Sequence, residues 1–258
     1  MPISRKIRKR FGQNFLVDKN IIRKILLSIN PQKTDCFVEI GPGRGALTFP
    51  MLSHIDALDV IEIDRDLAEN LSIHEQSSKL HIHCMDALKF DFKTLYKNGQ
   101  KLRLVGNLPY NLSTPMLFHF LDYSGIVEDL HIMLQKEVAD RMCSQPNRKT
   151  FGRLSVADQA RCQIKKLFDV KPNSFYPKPK VVSTMIRLIP DRILKDDLAN
   201  QLNCVLKLAF SKRRKKISNA LKTLFELNDF EKLGIDPVKR PENLTVDDYI
   251  NLSRSITD

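Results

Sequence analysis

The stretch Glu39-Ile40-Gly41-Pro42-Gly43-Arg44-Gly45 constrains the fold of this chain more than any other. It follows an apolar run, Cys36-Phe37-Val38-Glu39-Ile40, that reads as a buried strand, and it precedes residues 46–54, which read as a helix. Three glycines between a strand and a helix let the backbone turn sharply and approach a ligand with no side chain in the way. Such a turn belongs to sheets in which strand and helix alternate, and the following 150 or so residues keep that rhythm. Before the turn, residues 20–29 carry Ile21, Ile22, Ile25, Leu26 and Ile29 at helical spacing, with Pro31 to stop them. Beyond it, residues 58–63, 80–84, 102–105 and 130–134 read as strands and residues 67–72 and 115–121 as helices. Residues 163–170 and 181–189 read as a closing pair of strands, joined by the bend Phe175-Tyr176-Pro177-Lys178-Pro179. The pattern predicts an α/β fold with a mostly parallel sheet and right-handed crossovers. After Pro190 it is helical only, at residues 194–210, 217–227 and 245–253. The expected division is therefore residues 1–190, a sheet domain with a basic N-terminal arm, and residues 191–258, a small helical domain.

Charge is distributed unevenly over these parts. The net charge is +12 over 258 residues. Residues 1–10 carry five basic residues and no acid, residues 11–140 carry 13 basic and 17 acidic, and residues 141–190 carry 11 basic and two acidic. Five more basic residues are packed into Lys212-Arg213-Arg214-Lys215-Lys216. A mildly acidic segment with basic flanks suits a polyphosphate ligand larger than the site, and three separate basic regions favour nucleic acid over a merely solvated surface. No apolar run is long enough to span a bilayer, and no apolar segment follows the basic N-terminus as a secretory signal requires. The five cysteines are widely spaced, without zinc-ligand or redox spacing, which fits a reducing cytoplasm and no metal centre.

The glycine turn alone also suits dinucleotides, but two details point to S-adenosylmethionine. The third glycine comes one residue early for the dinucleotide fingerprint, and Glu39 ends the strand where a pyrophosphate would tolerate a carboxylate poorly. Gly41 and Gly43 would approach the cofactor. Glu62, roughly 20 residues on, occupies the place of a ribose-binding acid. Asp64 competes for that role, or caps the helix after it. Asp86 ends the third strand, counting the turn's own as the first, and either accepts from the cofactor's adenine amino group or caps a helix.

Asn107-Leu108-Pro109-Tyr110 ends the next strand. An Asn followed by Pro and an aromatic suits methylation of an exocyclic amino group on a nucleobase. That nitrogen is a poor nucleophile, because its lone pair is delocalised into the ring. A side-chain oxygen and a backbone carbonyl can accept its two hydrogens and draw it toward a tetrahedral geometry, while an aromatic ring stacks on the base.

The chain resembles the ribosomal RNA adenine N6,N6-dimethyltransferases, most closely the bacterial small-subunit type. The likeness runs from Arg8 to about Leu252, and its most specific motifs are Phe11-Gly12-Gln13-Asn14-Phe15-Leu16, Asn107-Leu108-Pro109-Tyr110-Asn111 and Phe175-Tyr176-Pro177-Lys178-Pro179-Lys180-Val181-Val182-Ser183. The resemblance implies a Rossmann-like, S-adenosylmethionine-dependent methyltransferase. Asn14, Leu16, Gly41, Glu62, Asp86 and Asn107 would contact the cofactor, and Asn107, Leu108 and Tyr110 would line the target-adenine pocket. Phe175 would be its second stacking face, although it could instead pack the bend into the sheet, with Tyr176 taking its place. Lys212, Arg213, Arg214, Lys215 and Lys216 are expected to open a helix facing RNA phosphates. The implied substrate is a pair of adjacent adenosines near the 3′ end of small-subunit rRNA on a precursor particle, and the enzyme is expected to be a monomer. The other readings are a large-subunit rRNA methyltransferase of the antibiotic-resistance type, a non-catalytic RNA-binding assembly factor, and a nicotinamide dehydrogenase.

Overall fold

The structure is a computed structural model that describes residues 13–110, 112–192 and 194–256. The basic arm, Phe11, Gly12 and Asn111 lie outside the described residues. The chain divides into two compact units. The first runs to Lys136 and resumes over Lys165–Pro190; the second comprises Glu137–Ile164 and the chain from Asp191 onward. The single boundary near residue 190 is thus corrected: a segment between two strands also belongs to the second unit. The reason is visible in its core. Phe151 is fully buried with its ring 6.5 Å from that of Phe210, which in turn lies 5.7 Å from the ring of Tyr249.

In chain order the elements are β1 (Phe15–Leu16), α1 (Lys19–Ile29), β2 (Cys36–Ile40), α2 (Thr48–Met51), β3 (Leu58–Ile61), α3 (Arg65–Ser72), β4 (Leu80–His83), β5 (Leu102–Asn107), α4 (Ser113–Leu121) and β6 (Val127–Gln135). They continue with α5 (Lys136–Met142), α6 (Arg153–Gln159), β7 (Cys162–Val170), β8 (Phe175–Tyr176), β9 (Ser183–Pro190), α7 (Asp196–Ser211), α8 (Ile217–Ala220), α9 (Leu227–Lys232) and α10 (Val246–Arg254). The main sheet has the order β4-β3-β2-β5-β6-β9-β7. Strands β4 to β6 pair in parallel and β9 lies antiparallel to β6. From β2 the chain builds first toward β3 and β4, then returns to place β5 on the other side of β2. That reversal opens a crevice at the carboxyl ends of β2 and β5, where open α/β sheets bind ligands. The register Ile40↔Gly106 sets Gly41 beside Asn107 there. Gly106 permits the approach, since a Cβ on it would lie 2.7 Å from the Ile40 carbonyl oxygen.

Local chemistry explains the element ends. Asp18 caps α1 by accepting the N–H groups of Asn20 and Ile21 at 3.0 and 3.3 Å, and Asn30 ends the helix with φ 49°. The helix expected over 46–54 is only α2: at its front Pro50 has no N–H to offer the Ala46 carbonyl, and at its back the bonds tighten to three-residue turns, Ser53 N–H to the Pro50 carbonyl and His54 N–H to the Met51 carbonyl. The antiparallel pair β1–β8 was not expected, since two residues carry no readable period.

In the second unit the helix expected over 217–227 is α8 followed by turns. Lys212 closes α7 and Lys216 precedes α8, so residues 212–216 are a connection between helices and not the opening of one. Tyr249 anchors the unit, fully buried with its hydroxyl donating to the Pro241 carbonyl at 2.7 Å.

Candidate active site

At the carboxyl ends of β2 and β3, the glycine turn is tied down by an acid. Gly41 takes φ +65° and Gly43 φ +58°, conformations that disfavour side chains. The Gly41 N–H donates to the Ile61 carbonyl at 2.9 Å, and the Gly43 N–H donates to Glu62 Oε2 at 3.1 Å. Glu62 Oε1 accepts from the Asp64 N–H at 2.9 Å. A Cβ added to Gly41 would meet open space. Glu62 is buried, and burial raises its pKa against the pull of those N–H groups. Glu39 is buried as well and accepts from Thr48 Oγ1 at 2.6 Å; burial, with the Glu62 charge adding, pushes its pKa up to about 7.

The competing acids separate. Asp64 caps α3 through the Asp66 N–H at 3.1 Å and accepts from Gln13 Nε2 at 3.2 Å. Glu62, not Asp64, lies in the wall of a cavity of about 150 Å³ that opens at this crevice. Asp86 is a cap, Oδ1 accepting from the Leu88 N–H at 3.0 Å, and the residue also lines the cavity.

Asn107 is the last residue of β5, and its Nδ2 donates to the Asn14 carbonyl at 2.9 Å. A backbone carbonyl only accepts, so this contact fixes the amide: the NH2 group faces Asn14 and Oδ1 is the free-standing acceptor. The Leu108 N–H donates to the Met133 carbonyl at 3.3 Å and holds the corner to β6. The Tyr110 hydroxyl and Ser183 Oγ are hydrogen-bonded at 2.8 Å, and burial raises the phenol pKa. Asn14, Leu16, Gly41, Gly43, Glu62, Asp86, Asn107, Leu108 and Tyr110 all line the one cavity.

Phe175 is not among the lining residues. It is 3% exposed, pairs with Leu16 across β1–β8 and packs in the core, so the aromatic sandwich is not formed here. Its neighbour Tyr176 is 60% exposed, as the alternation of a strand requires. Among the basic run, Lys212, Arg214, Lys215 and Lys216 are exposed. Arg213 is half-buried and engaged within its own unit, donating to Glu242 and to the Lys149 carbonyl at 2.6 Å each. Reading the sequence also missed Gly106, Ser183, Gln13, Phe15 and Met85. Ser183, Gln13 and Phe15 sit inside quoted motifs; Gly106, a lone glycine inside a strand, was a signal of close backbone approach.

Among the described residues no helix is long and apolar enough to cross a membrane, and no group of three His, Cys, Asp or Glu side chains is placed to hold a metal.

A sheet of this order, with its ligand crevice at the β2/β5 reversal and an amide-bearing corner at the crevice mouth, is that of a Rossmann-like methyltransferase that uses S-adenosylmethionine. Residues 4–258 match the model of a family described as ribosomal RNA adenine dimethylase. The chain is 49% identical to the ribosomal RNA small subunit methyltransferase A of Nitrosococcus oceani, covering 98% of this chain and 97% of that one. It is 48% identical to the protein of that name from Dechloromonas aromatica, over 97% and 98%. Among solved structures, a dimethyladenosine transferase from Plasmodium falciparum superposes with a TM-score of 0.80 at 25% identity, covering 92% of this chain and 95% of that one. The 23S rRNA methyltransferase ErmE shares the fold, with a TM-score of 0.73 at 19% identity over 95% and 100%. The chain belongs to the ribosomal RNA adenine dimethylase family and is an S-adenosylmethionine-dependent rRNA adenine dimethyltransferase.

Proposed function

We propose that this enzyme dimethylates N6 of two adjacent adenosines near the 3′ end of small-subunit (16S) rRNA, working as a cytoplasmic monomer on a late ribosome-assembly particle. The near full-length likeness to relatives named for the small subunit supports the choice of rRNA. The observation that carries the chemistry is the orientation of Asn107, whose amide nitrogen is spent on Asn14.

The residues of the crevice fit the cofactor. Two buried acids, Glu39 and Glu62, have no Lys or Arg partner among the described residues, which suits a cationic nucleoside. A carboxylate offers about four lone-pair positions, so Glu62 can accept from ribose hydroxyls while it holds Gly43 and Asp64. Asp86 would accept from the adenine amino group, and Asn14 and Leu16 would close the near side. S-adenosylmethionine supplies an electrophilic methyl group. The chain's part is to bind and orient. Asn107 Oδ1 and the Leu108 carbonyl would accept the two N6 hydrogens of the target adenine, and Tyr110 would stack on its ring. Acceptance strengthens as positive charge develops on N6, so these contacts act on the rate. The product proton leaves to water, and no strong base is required. Lys212, Arg214, Lys215 and Lys216 would dock RNA phosphates, with Arg213 holding their connection in place.

Mass spectrometry of rRNA tests this reading. Cells lacking the chain should lose dimethyladenosine at adjacent positions of 16S rRNA, regain it on re-expression, and fail to regain it with Asn107→Ala. Dimethylation restored in 23S rRNA instead would overturn the substrate assignment.

A further inference from the structure

Strand pairing between β1 and β8 sorts four side chains onto two faces. Residues directly opposite in an antiparallel pair share a face, and successive residues alternate. Leu16 and Phe175 are opposite and both buried, at 6% and 3% exposure. Phe15 and Tyr176 are therefore opposite on the other face. Phe15 lines the cavity and packs on the glycine turn so closely that a Cβ on Gly43 would lie 3.0 Å from its ring. The exposed Arg44 guanidinium sits over the Phe15 ring, 4.7 Å from its centre. Beyond Phe15, Tyr176 is 60% exposed, and Lys178 and Lys180 are exposed on the same bend.

We infer that Tyr176 is a stacking platform for an RNA nucleotide flanking the methylated adenosine. The inference rests on the proposed function and adds a subsite to it. A base drawn into the cavity stays covalently joined to its neighbours, which must lie at the rim. The residue opposite Phe15 is an aromatic that is 60% exposed, with Arg44 over Phe15 and Lys178 and Lys180 exposed on the same bend to meet phosphates. An aromatic face among basic side chains is how single-stranded nucleic acid is held without regard to base identity. Phe175 cannot serve here because its ring is in the core, and Tyr110 faces the cavity itself.

The test is steady-state methylation of small-subunit particles from cells lacking this enzyme, with particle binding measured separately by filter retention. Tyr176→Ala should raise KM and the particle Kd about tenfold while kcat stays within about twofold, the size expected for losing one base–aromatic stack. Tyr176→Phe should stay near the unaltered chain, since the ring and not the hydroxyl carries the contact. Affinity for S-adenosylmethionine should be unchanged, which also establishes that the variant folds. Unchanged KM and Kd in Tyr176→Ala would overturn the inference. So would a fall in kcat with KM intact, which would place Tyr176 against the target base instead. If the unaltered chain methylates no adjacent adenosines, the functional reading fails, and the binding comparison still decides the role of Tyr176.

Discussion

At the amino end of β5, Arg103 lies between two acids; at the carboxyl ends of β2 and β3, two buried acids have no Lys or Arg partner among the described residues. Arg103 donates to Asp129 twice at 3.0 Å, to Asp35 at 2.6 Å and to the Ile29 carbonyl at 2.9 Å. Arg187 adds two more donors to Asp129, at 3.0 and 2.8 Å. Burial opposes ionisation of Asp129, but neighbouring His131 and Arg103 overcome it and hold the carboxyl well below the usual range. Burial acts on Glu39 and Glu62 in the same direction, yet among the described residues only hydroxyl and backbone N–H donors answer it, and both pKa values rise. One end of the sheet neutralises its charges within the chain and so serves the fold. The other leaves them to be met from outside, which is the mark of a ligand site.

The largest expected effect breaks the self-satisfied end. Arg103→Ala takes two of the four guanidinium hydrogen bonds from Asp129, a fully buried carboxylate left to Arg187, and should cost about 3 kcal/mol of stability in denaturant unfolding, the low end for breaking a buried ion pair. Cofactor affinity in the protein that remains folded should be unchanged. A loss of affinity equal to the loss of stability would mean that the two ends are not separable.

Asn107→Asp should be nearly as severe, but in turnover. The carboxylate would place an oxygen against the Asn14 carbonyl that now receives an N–H, so the acceptor can no longer be held toward the substrate. Single-turnover methylation should fall by roughly 10²–10³-fold, comparable with losing one preorganised partner of a transition state, while the unfolding midpoint moves little. Near-normal turnover would show that the amide orientation is not what positions N6.

Next in size is Glu62→Ala, expected to weaken S-adenosylmethionine binding by about 1–3 kcal/mol through the loss of a charged acceptor and of the tie to Gly43. Calorimetry on the folded variant measures it. Unchanged affinity would shift the role to Asp64, whose oxygens are otherwise taken up by Asp66 and Gln13.

The difference between the ends also explains what was legible in the sequence. Motifs at the ligand end are local: a glycine turn, an acid about 20 residues on, an Asn-Leu-Pro-Tyr corner, each beside a strand whose apolar run is easy to read. The paired end is assembled from Asp35, Arg103, Asp129 and Arg187, far apart in sequence, and nothing in their local surroundings announced it. The same limit applied to Phe175. Its motif was plain, but whether its ring faces the cavity or the core depends on a two-residue pairing with β1 that no periodicity reveals. The excursion Glu137–Ile164 was missed for a like reason: the basic stretch that begins at residue 141 runs on past Ile164 into the strands that rejoin the sheet, so the change in charge does not mark the unit's end.

The smallest effect sharpens the comparison through pH. The folded-state pKa of Glu39, about 7, lies above its ordinary value of 4.5, so the folded protein holds a proton that the unfolded chain releases between those values. Its stabilising contribution is complete below pH 4.5 and is lost as pH rises through 7. Glu39→Gln removes the titration while its side-chain oxygen can still accept from Thr48. Without cofactor, the variant should be less stable than the unaltered protein near pH 4.5, because its new NH2 group is buried without a partner at every pH, and should overtake it by on the order of 1 kcal/mol at pH 8. Asp158 in the second unit is pushed up to about 7 by burial and titrates over the same range, so the difference between the two proteins, not either profile alone, is the measurement. Saturating S-adenosylmethionine should shrink that difference, since a cationic ligand favours ionised Glu39 and gains less from Gln. A gap that is independent of pH would mean that Glu39 is already neutralised within the chain, like Asp129.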